Sequence, residues 1–217
     1  MERLLRGYRE FRRKRWPQER ATFDALAREG QKPEYLIIAC SDSRSDPATI
    51  FSGRPGEFFV VRNVAAVVPP YNADIGFYGT RSAIAYAVLG LNVRNIVVVG
   101  HAQCGGVAAA LDPKSASKVP FLAQWVELLK PAIARVPACK PGPDGCAGVE
   151  RSAVALSVER LLEYPFIAER VHAGTLAVDG ARFAIATGKL EVMDKKSGKF
   201  RTVDLRTGFL RLFAKAA

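Results

Sequence analysis

The sequence predicts an α/β fold: a mostly parallel central β-sheet flanked by helices, with an N-terminal helical arm and a late antiparallel edge strand. Three observations predict it. The short runs Tyr35–Ala39, Glu57–Arg62 and Asn95–Gly100 are apolar and β-rich, as strands buried on both faces tend to be. Segments of helical length alternate with them. Finally, 217 residues with 49% hydrophobic and 24% charged side chains are enough for one core without staples. Residues 1–217 are therefore expected to form a single domain, with residues 1–30 as its helical arm.

The arm comes first. Leu4, Leu5, Tyr8 and Phe11 recur at helical spacing among seven cationic residues from Arg3 to Arg15, which makes a basic amphipathic helix. Such a helix can bind an anionic polymer or membrane, or can pack against its own body or a partner subunit. Packing is the preferred reading. After the first strand, Asp46–Pro47 supplies an N-cap and a proline at N1, opening a short helix to Phe51. Asp74 to Leu89 has helix length and closes on Gly90. Val119–Arg135 and Glu150–Leu162 are further helices, and Pro165 starts another. Thr175–Val178 and Arg182–Ala186 read as late strands around a turn at Asp179–Gly180. Between the helices, Pro137–Gly148 is a Pro/Gly-rich loop.

The net charge of +11 invites a nucleic-acid reading, but its placement argues otherwise. Residues 1–20 carry eight Lys/Arg against three acids, and residues 189–217 carry the same. The body between them is almost neutral. Ala83–Leu91, the longest apolar stretch, is about half of the roughly 18 residues a membrane span needs. No secretory leader pattern is visible. A cytoplasmic protein with reduced thiols is expected, Cys139 and Cys146 being free rather than disulfide-bonded.

Two patches carry chemistry, each directly after a predicted strand. Cys40-Ser41-Asp42-Ser43-Arg44 follows the first, and His101-Ala102-Gln103-Cys104-Gly105-Gly106 follows the third. In open α/β sheets, sites gather at the carboxyl ends of strands. If these strands are neighbours, Cys40, His101 and Cys104 converge. Two thiolates and an imidazole suit Zn²⁺ and leave a fourth position open, as catalysis requires. Asp42 and Arg44, two apart, can form a charge-assisted pair. Gly105 and Gly106 let backbone N–H groups come close at a helix N-terminus.

Rival readings fit less well. Each cysteine alone is usually a small buried hydrophobe. Thiol catalysis by Cys104, activated by His101, leaves Cys40 and the Asp42–Arg44 pair without roles. A zinc-containing nucleic-acid-binding protein needs a closed four-ligand site and a basic stripe on its fold.

The spacing Cys-x-Asp-x-Arg followed by His-x-x-Cys resembles that of the β-class carbonic anhydrases, and the likeness extends over about residues 30–190. The resemblance implies one Zn²⁺ per subunit on Cys40, His101 and Cys104. It also implies a catalytic dyad of Asp42 and Arg44, which orients a zinc-bound hydroxide for reversible hydration of CO₂ to bicarbonate and a proton. Matching positions give the substrate pocket of the plant-type, open-site branch. There Gln31 donates to the bound anion, Phe59, Val64 and Tyr86 form the apolar wall, and Gly105 adjoins the metal. Without the resemblance these would be a polar loop residue and ordinary core.

Another branch carries an inhibitory bicarbonate site of Trp, Gly and Arg. The matching positions are Ile37, Ala39 and Arg62, so no such site is expected. The resemblance further implies a homodimer or higher homo-oligomer with the arm packed on the partner. Carbonyl sulfide and carbon disulfide hydrolases share the motif and are the alternative within enzymes. His172, the second imidazole, has no placement near zinc, so proton export is expected to depend on external buffer.

Overall fold

The computed structural model describes residues 1–72, 78–136 and 146–204. The apolar runs become the strands β1 (Tyr35–Cys40), β2 (Phe58–Asn63) and β3 (Asn95–His101), joined by β4 (Ala177–Ala184), β5 (Lys189–Met193) and β6 (Phe200–Thr202). They form one sheet of order β2-β1-β3-β4-β5-β6. The first four in that order run parallel, and β5 and β6 are antiparallel at one edge. The helices are α1 (Glu2–Glu10), α2 (Trp16–Glu29), α3 (Pro47–Ile50), α4 (Tyr78–Ala85), α5 (Gly105–Leu111), α6 (Pro113–Ala116), α7 (Leu122–Val126), α8 (Lys130–Ala134), α9 (Ala147–Leu162) and α10 (Pro165–His172).

β1 is continuous in hydrophobicity because both of its faces are covered. Leu36 and Ile38 join Ile96 and Val98 of β3 in a core with Ile84, Leu161 and Ile167 from the helices. Ile37 and Ala39 turn the other way, with Val99, beneath Phe51 and Phe58. A third cluster, containing Val107, Leu129 and Val149, surrounds Cys40 and Cys104 at the carboxyl end of the sheet. The period of two along a strand thus sends Cys40 to the same face as Leu36 and Ile38.

The expected turn at Asp179–Gly180 is not a turn. These residues lie in the middle of β4, paired with Val97 and Val98 of β3. Gly180 is there for room: a Cβ on it would sit 2.8 Å from Val154 Cγ1, and one on Gly100 would sit 2.5 Å from Val154 Cγ2. Two glycines on adjacent strands let α9 lie close on the sheet. Asp179 is held by Lys195 at 2.9 Å. The two late antiparallel strands come after, as β5 and β6.

The long helix expected over Val119–Arg135 is broken. Phe121 has φ of 67°, and α7 passes through a 3₁₀ turn (Glu127–Leu129) into α8. Pro131, without an N–H to donate, suits the first turn of a new helix better than the interior of an old one. α4 covers the later part of the expected Asp74–Leu89 helix and runs on as a π-turn, Tyr86–Gly90; Asp74 itself lies outside the described residues. The arm forms α1, a π-turn (Phe11–Arg15) and α2, none of whose residues is buried. Trp16 stacks on Phe23 at 5.0 Å, and Phe11 lies edge-on to both. Gly56 opposes the Leu26 side chain, so α2 meets the body near that turn.

Cys146 is disulfide-bonded, contrary to the free thiol expected of it. Cys139 lies outside the described residues. No helix among the described residues is long and apolar enough to cross a membrane.

Candidate metal centre

The chain leaves β1 for β2 on one side and later returns to β3 on the other. The carboxyl ends of β1 and β3 therefore flank a topological switch point. Cys40 ends β1 and His101 ends β3, both inside regular strand, so their backbones are fixed by the ladder. Cys104 caps α5 in an extended conformation (φ −71°, ψ 118°) without using its side chain as the cap. Its sulfur remains available.

The ligand atoms of Cys40, His101 and Cys104 lie within 4.8 Å of one another, and all three residues are buried. The two Sγ atoms are 3.9 Å apart. His101 Nδ1 is 2.9 Å from the Ala102 carbonyl, which can only accept, so Nδ1 carries the proton. Nε2 is then a lone-pair donor, and it is buried without a hydrogen-bond partner. An orphaned buried imidazole nitrogen beside two thiols is the donor set that zinc takes. The residues fit the metal.

The electrostatics agree. Hydrogen bonding with Cys104 pulls the Cys40 thiol well below its ordinary range. The same bond, with burial, pushes the Cys104 thiol up. A pair this close gives up one proton readily and keeps the second until a cation replaces it. Burial opposes charging of His101, but the neighbouring Cys40 thiolate, the Ala102 carbonyl and the Asp42 carboxylate raise it overall.

The segment after Cys40 places the second chemical pair. Arg44 Nε donates to Asp42 Oδ1 at 2.9 Å and Nη2 donates to Oδ2 at 2.7 Å, a two-pronged contact. The backbone N–H of Arg44 adds a third bond to Oδ1. These bonds hold the Asp42 carboxyl far below the usual carboxylate range, against a smaller opposing effect of burial. Arg44 also donates to the Gln103 carbonyl at 3.2 Å, tying the β1 loop to the β3 loop. Asp42 Oδ2 lies 3.8 Å from His101 Nε2. Sequence reasoning thus placed five residues that the fold does bring together.

The expected pocket residues are less uniformly gathered. The rings of Phe59 and Tyr86 lie 5.9 Å apart. Val64 opens the 3₁₀ turn after β2, and a Cβ on Gly106 would lie 2.6 Å from its side chain. Gly105 faces open space. Gln31 is on the exposed stretch before β1, and no hydrogen bond joins it to the cluster. Tyr86 is 54% exposed and Val64 36%, which is unusual for an apolar wall in a finished site. A cleft of about 690 Å³ opens beside Val64, lined also by Ser41, Thr80, Phe121 and Trp125 among others, but not by Gln31, Phe59, Tyr86 or Gly105. None of the three ligands lines it.

Three supports escaped sequence reasoning. Trp125 Nε1 donates to the Val64 carbonyl at 2.8 Å. Arg62 Nε donates to the Cys40 carbonyl at 2.9 Å and Nη2 to the Asp42 carbonyl at 2.7 Å. Ala65 N–H points at Cys40 Sγ from 3.3 Å. Ala65, Ala66 and Gln103 all have positive φ without being glycine. Backbone held in that region beside a site is stored strain, and no local pattern announces it.

Comparison with known proteins matches this geometry. The carbonic anhydrase family matches residues 35–190. Beta carbonic anhydrase 3 of Arabidopsis thaliana is 34% identical over 204 residues, covering 89% of this chain and 77% of the relative. The solved β-carbonic anhydrase CcaA is 30% identical with a TM-score of 0.87, over 95% of this chain and 93% of that one. One of two tetrameric β-carbonic anhydrases from Sordaria macrospora is 33% identical with a TM-score of 0.74, over 88% and 95%. The fold, the three buried ligand side chains and these likenesses agree: the chain belongs to the β-class carbonic anhydrases.

Proposed function

We propose that this protein catalyses reversible hydration of CO₂ to bicarbonate and a proton at a zinc ion held by Cys40, His101 and Cys104. The observation that carries the reading is the orphaned His101 Nε2, buried between two thiols and 3.8 Å from a paired carboxylate. Zinc supplies, when bound, the acidity that makes water a nucleophile near pH 7, a value established on carbonic anhydrase itself.

The chain's own residues do the rest. Asp42 stays ionised because Arg44 donates to both its oxygens, so it only accepts hydrogen bonds. An acceptor-only group fixes which way a donor turns, and so aims that donor's lone pair at the carbon. Arg44 keeps the carboxylate in one rotamer and, through Gln103, in one place relative to β3. Phe59, Val64 and Tyr86 suit a small apolar gas, and Gln31 is assigned as a donor to the product anion.

Tyr86 and Leu89 are exposed apolar groups on the π-turn after α4, and no residue of α1 or α2 is buried. Exposed apolar surface of that kind is covered in assemblies. The pocket is accordingly assigned to an interface between copies of this chain, a homodimer or larger, with residues 1–30 as an arm upon the partner. The proton leaves to external buffer. Metal analysis combined with stopped-flow CO₂ hydration tests the reading. One zinc per chain and buffer-dependent hydration are expected. Absence of both, or release of sulfide from carbonyl sulfide without CO₂ hydration, would overturn it.

A further inference from the structure

Behind Cys104 lies a buried chain of charges that the hydration chemistry does not use. Glu150, in the first turn of α9, is 3% exposed, and Arg182, on β4, is 5% exposed. Glu150 Oε1 accepts a hydrogen bond from the backbone N–H of Cys104 at 3.3 Å. Its Oε2 accepts from Arg182 Nε at 2.8 Å. Arg182 Nη1 reaches Glu191 of β5 at 3.0 Å, and Arg151 closes the far end with two bonds to Glu191 at 2.7 and 3.0 Å. The chain Cys104–Glu150–Arg182–Glu191–Arg151 runs from the ligand loop to the half-buried face of β5.

We infer that Glu150, held by Arg182 and Glu191, is a positioning residue for the metal centre, fixing the backbone of Cys104 and with it the direction of the thiolate. This rests on the zinc reading above. Cys104 stands at the N-cap of α5, where no preceding turn offers its own N–H an acceptor. Glu150 supplies one from another element. A buried carboxylate is tolerated only when its charge is matched, and Arg182 matches it.

Arg182 is paired in register with Gly100, the residue before His101, and the next residue, Phe183, accepts from the Ala102 N–H at 2.8 Å. One strand therefore braces both ligand-bearing positions: β4 holds the His101 side through its ladder and the Cys104 side through Arg182 and Glu150. Neighbours that orient ligands in this way typically change metal affinity or activity by about 10–100-fold when removed.

The test uses full-length Glu150→Gln protein, loaded with zinc and, separately, with cobalt(II). A glutamine keeps the shape, but its NH₂ must face one of two donors, the Cys104 N–H or the Arg182 guanidinium. Metal affinity by chelator competition, the thiolate–cobalt charge-transfer band, and kcat and KM for CO₂ are measured against wild type. Affinity at least about tenfold weaker, a shifted band and a lower kcat at similar KM are expected. Glu159→Gln, which breaks an exposed pair with Arg135 farther along α9, serves as control and should leave all four unchanged. Wild-type affinity and an unshifted band in a folded Glu150→Gln protein would overturn the inference. If that variant does not fold, Glu191→Gln decides, since it leaves Glu150 and Arg182 in place and loosens only their anchor. A shifted band supports the relay, and an unshifted one overturns it. Failure of the zinc reading itself looks different, because wild type would then bind no zinc and hydrate no CO₂.

Discussion

His101 Nε2 and Asp42 Oδ2 face each other across 3.8 Å, beyond hydrogen-bond reach, although both are acceptor-ready and one is buried without a partner. The imidazole holds its lone pair for something other than the carboxylate. Replacing it should therefore cost metal before it costs fold. His101→Ala is expected to lose nearly all bound zinc and all CO₂ hydration, with far-ultraviolet circular dichroism close to wild type. Full zinc occupancy by elemental analysis would show that His101 is no ligand.

Arg44 grips Asp42 with two prongs at 2.9 and 2.7 Å, a geometry that a single ammonium does not reproduce. Arg44→Lys should retain zinc and lower kcat by about 10–100-fold. Asp42→Asn should lower it at least as much, since an amide presents a donor where only an acceptor serves. Wild-type stopped-flow rates for either variant would remove the pair from the chemistry.

Arg62 bonds the carbonyls on either side of Ser41, at 2.9 and 2.7 Å, and so shapes the turn between ligand and dyad. Arg62→Ala should reduce stability by roughly 1.5–3 kcal/mol, the usual worth of hydrogen bonds from a charged donor. Urea denaturation measures it, and coincident midpoints would argue against the clamp.

Glu191 is held below its ordinary 4.5 by the bonds from Arg151, with Arg182 adding to them against partial burial. A carboxylate lowered on folding stabilises above its unfolded pKa, and that contribution disappears as pH falls through the folded value. Glu191→Gln should therefore be less stable than wild type at pH 7, and the two should converge as pH drops below about 4.5. Denaturation curves across that range, if parallel, would contradict it.

Tyr86 and Leu89 are 54% and 65% exposed in the single chain. Charge placed there should prevent assembly: Tyr86→Asp is expected to sediment as a smaller species than wild type at micromolar concentration, with weakened CO₂ turnover. An unchanged sedimentation coefficient would place the interface elsewhere.

The central sheet and the ligand set were legible because both are local patterns. Tyr35–Ala39 and Asn95–Gly100 are apolar on both faces, and chemistry begins at the residues that follow them. Asp179–Gly180 misled for a physical reason. Glycine next to aspartate signals a turn, but here the glycine makes room for Val154 on a helix that sequence distance hides. Val119–Arg135 carries enough apolar residues for a helix, yet Phe121 and Pro131 break it. Glu150 and Arg182 could not be paired beforehand, since 32 residues and a change from helix to strand separate them. Arg62 matches one position of an inhibitory site whose other two positions do not match, while its bonds to two carbonyls depend on the turn after β1.

Cys40 and Cys104 stand 64 residues apart along the chain and 3.9 Å apart in space. A shared metal would close that stretch into a ring, pinning the crossover between neighbouring strands much as a cross-link does. Each tenfold rise of free zinc above its dissociation constant then adds about 1.4 kcal/mol to the folded state. The ion that activates water would also be a fastener of the fold, so its removal is expected to lower stability as well as activity.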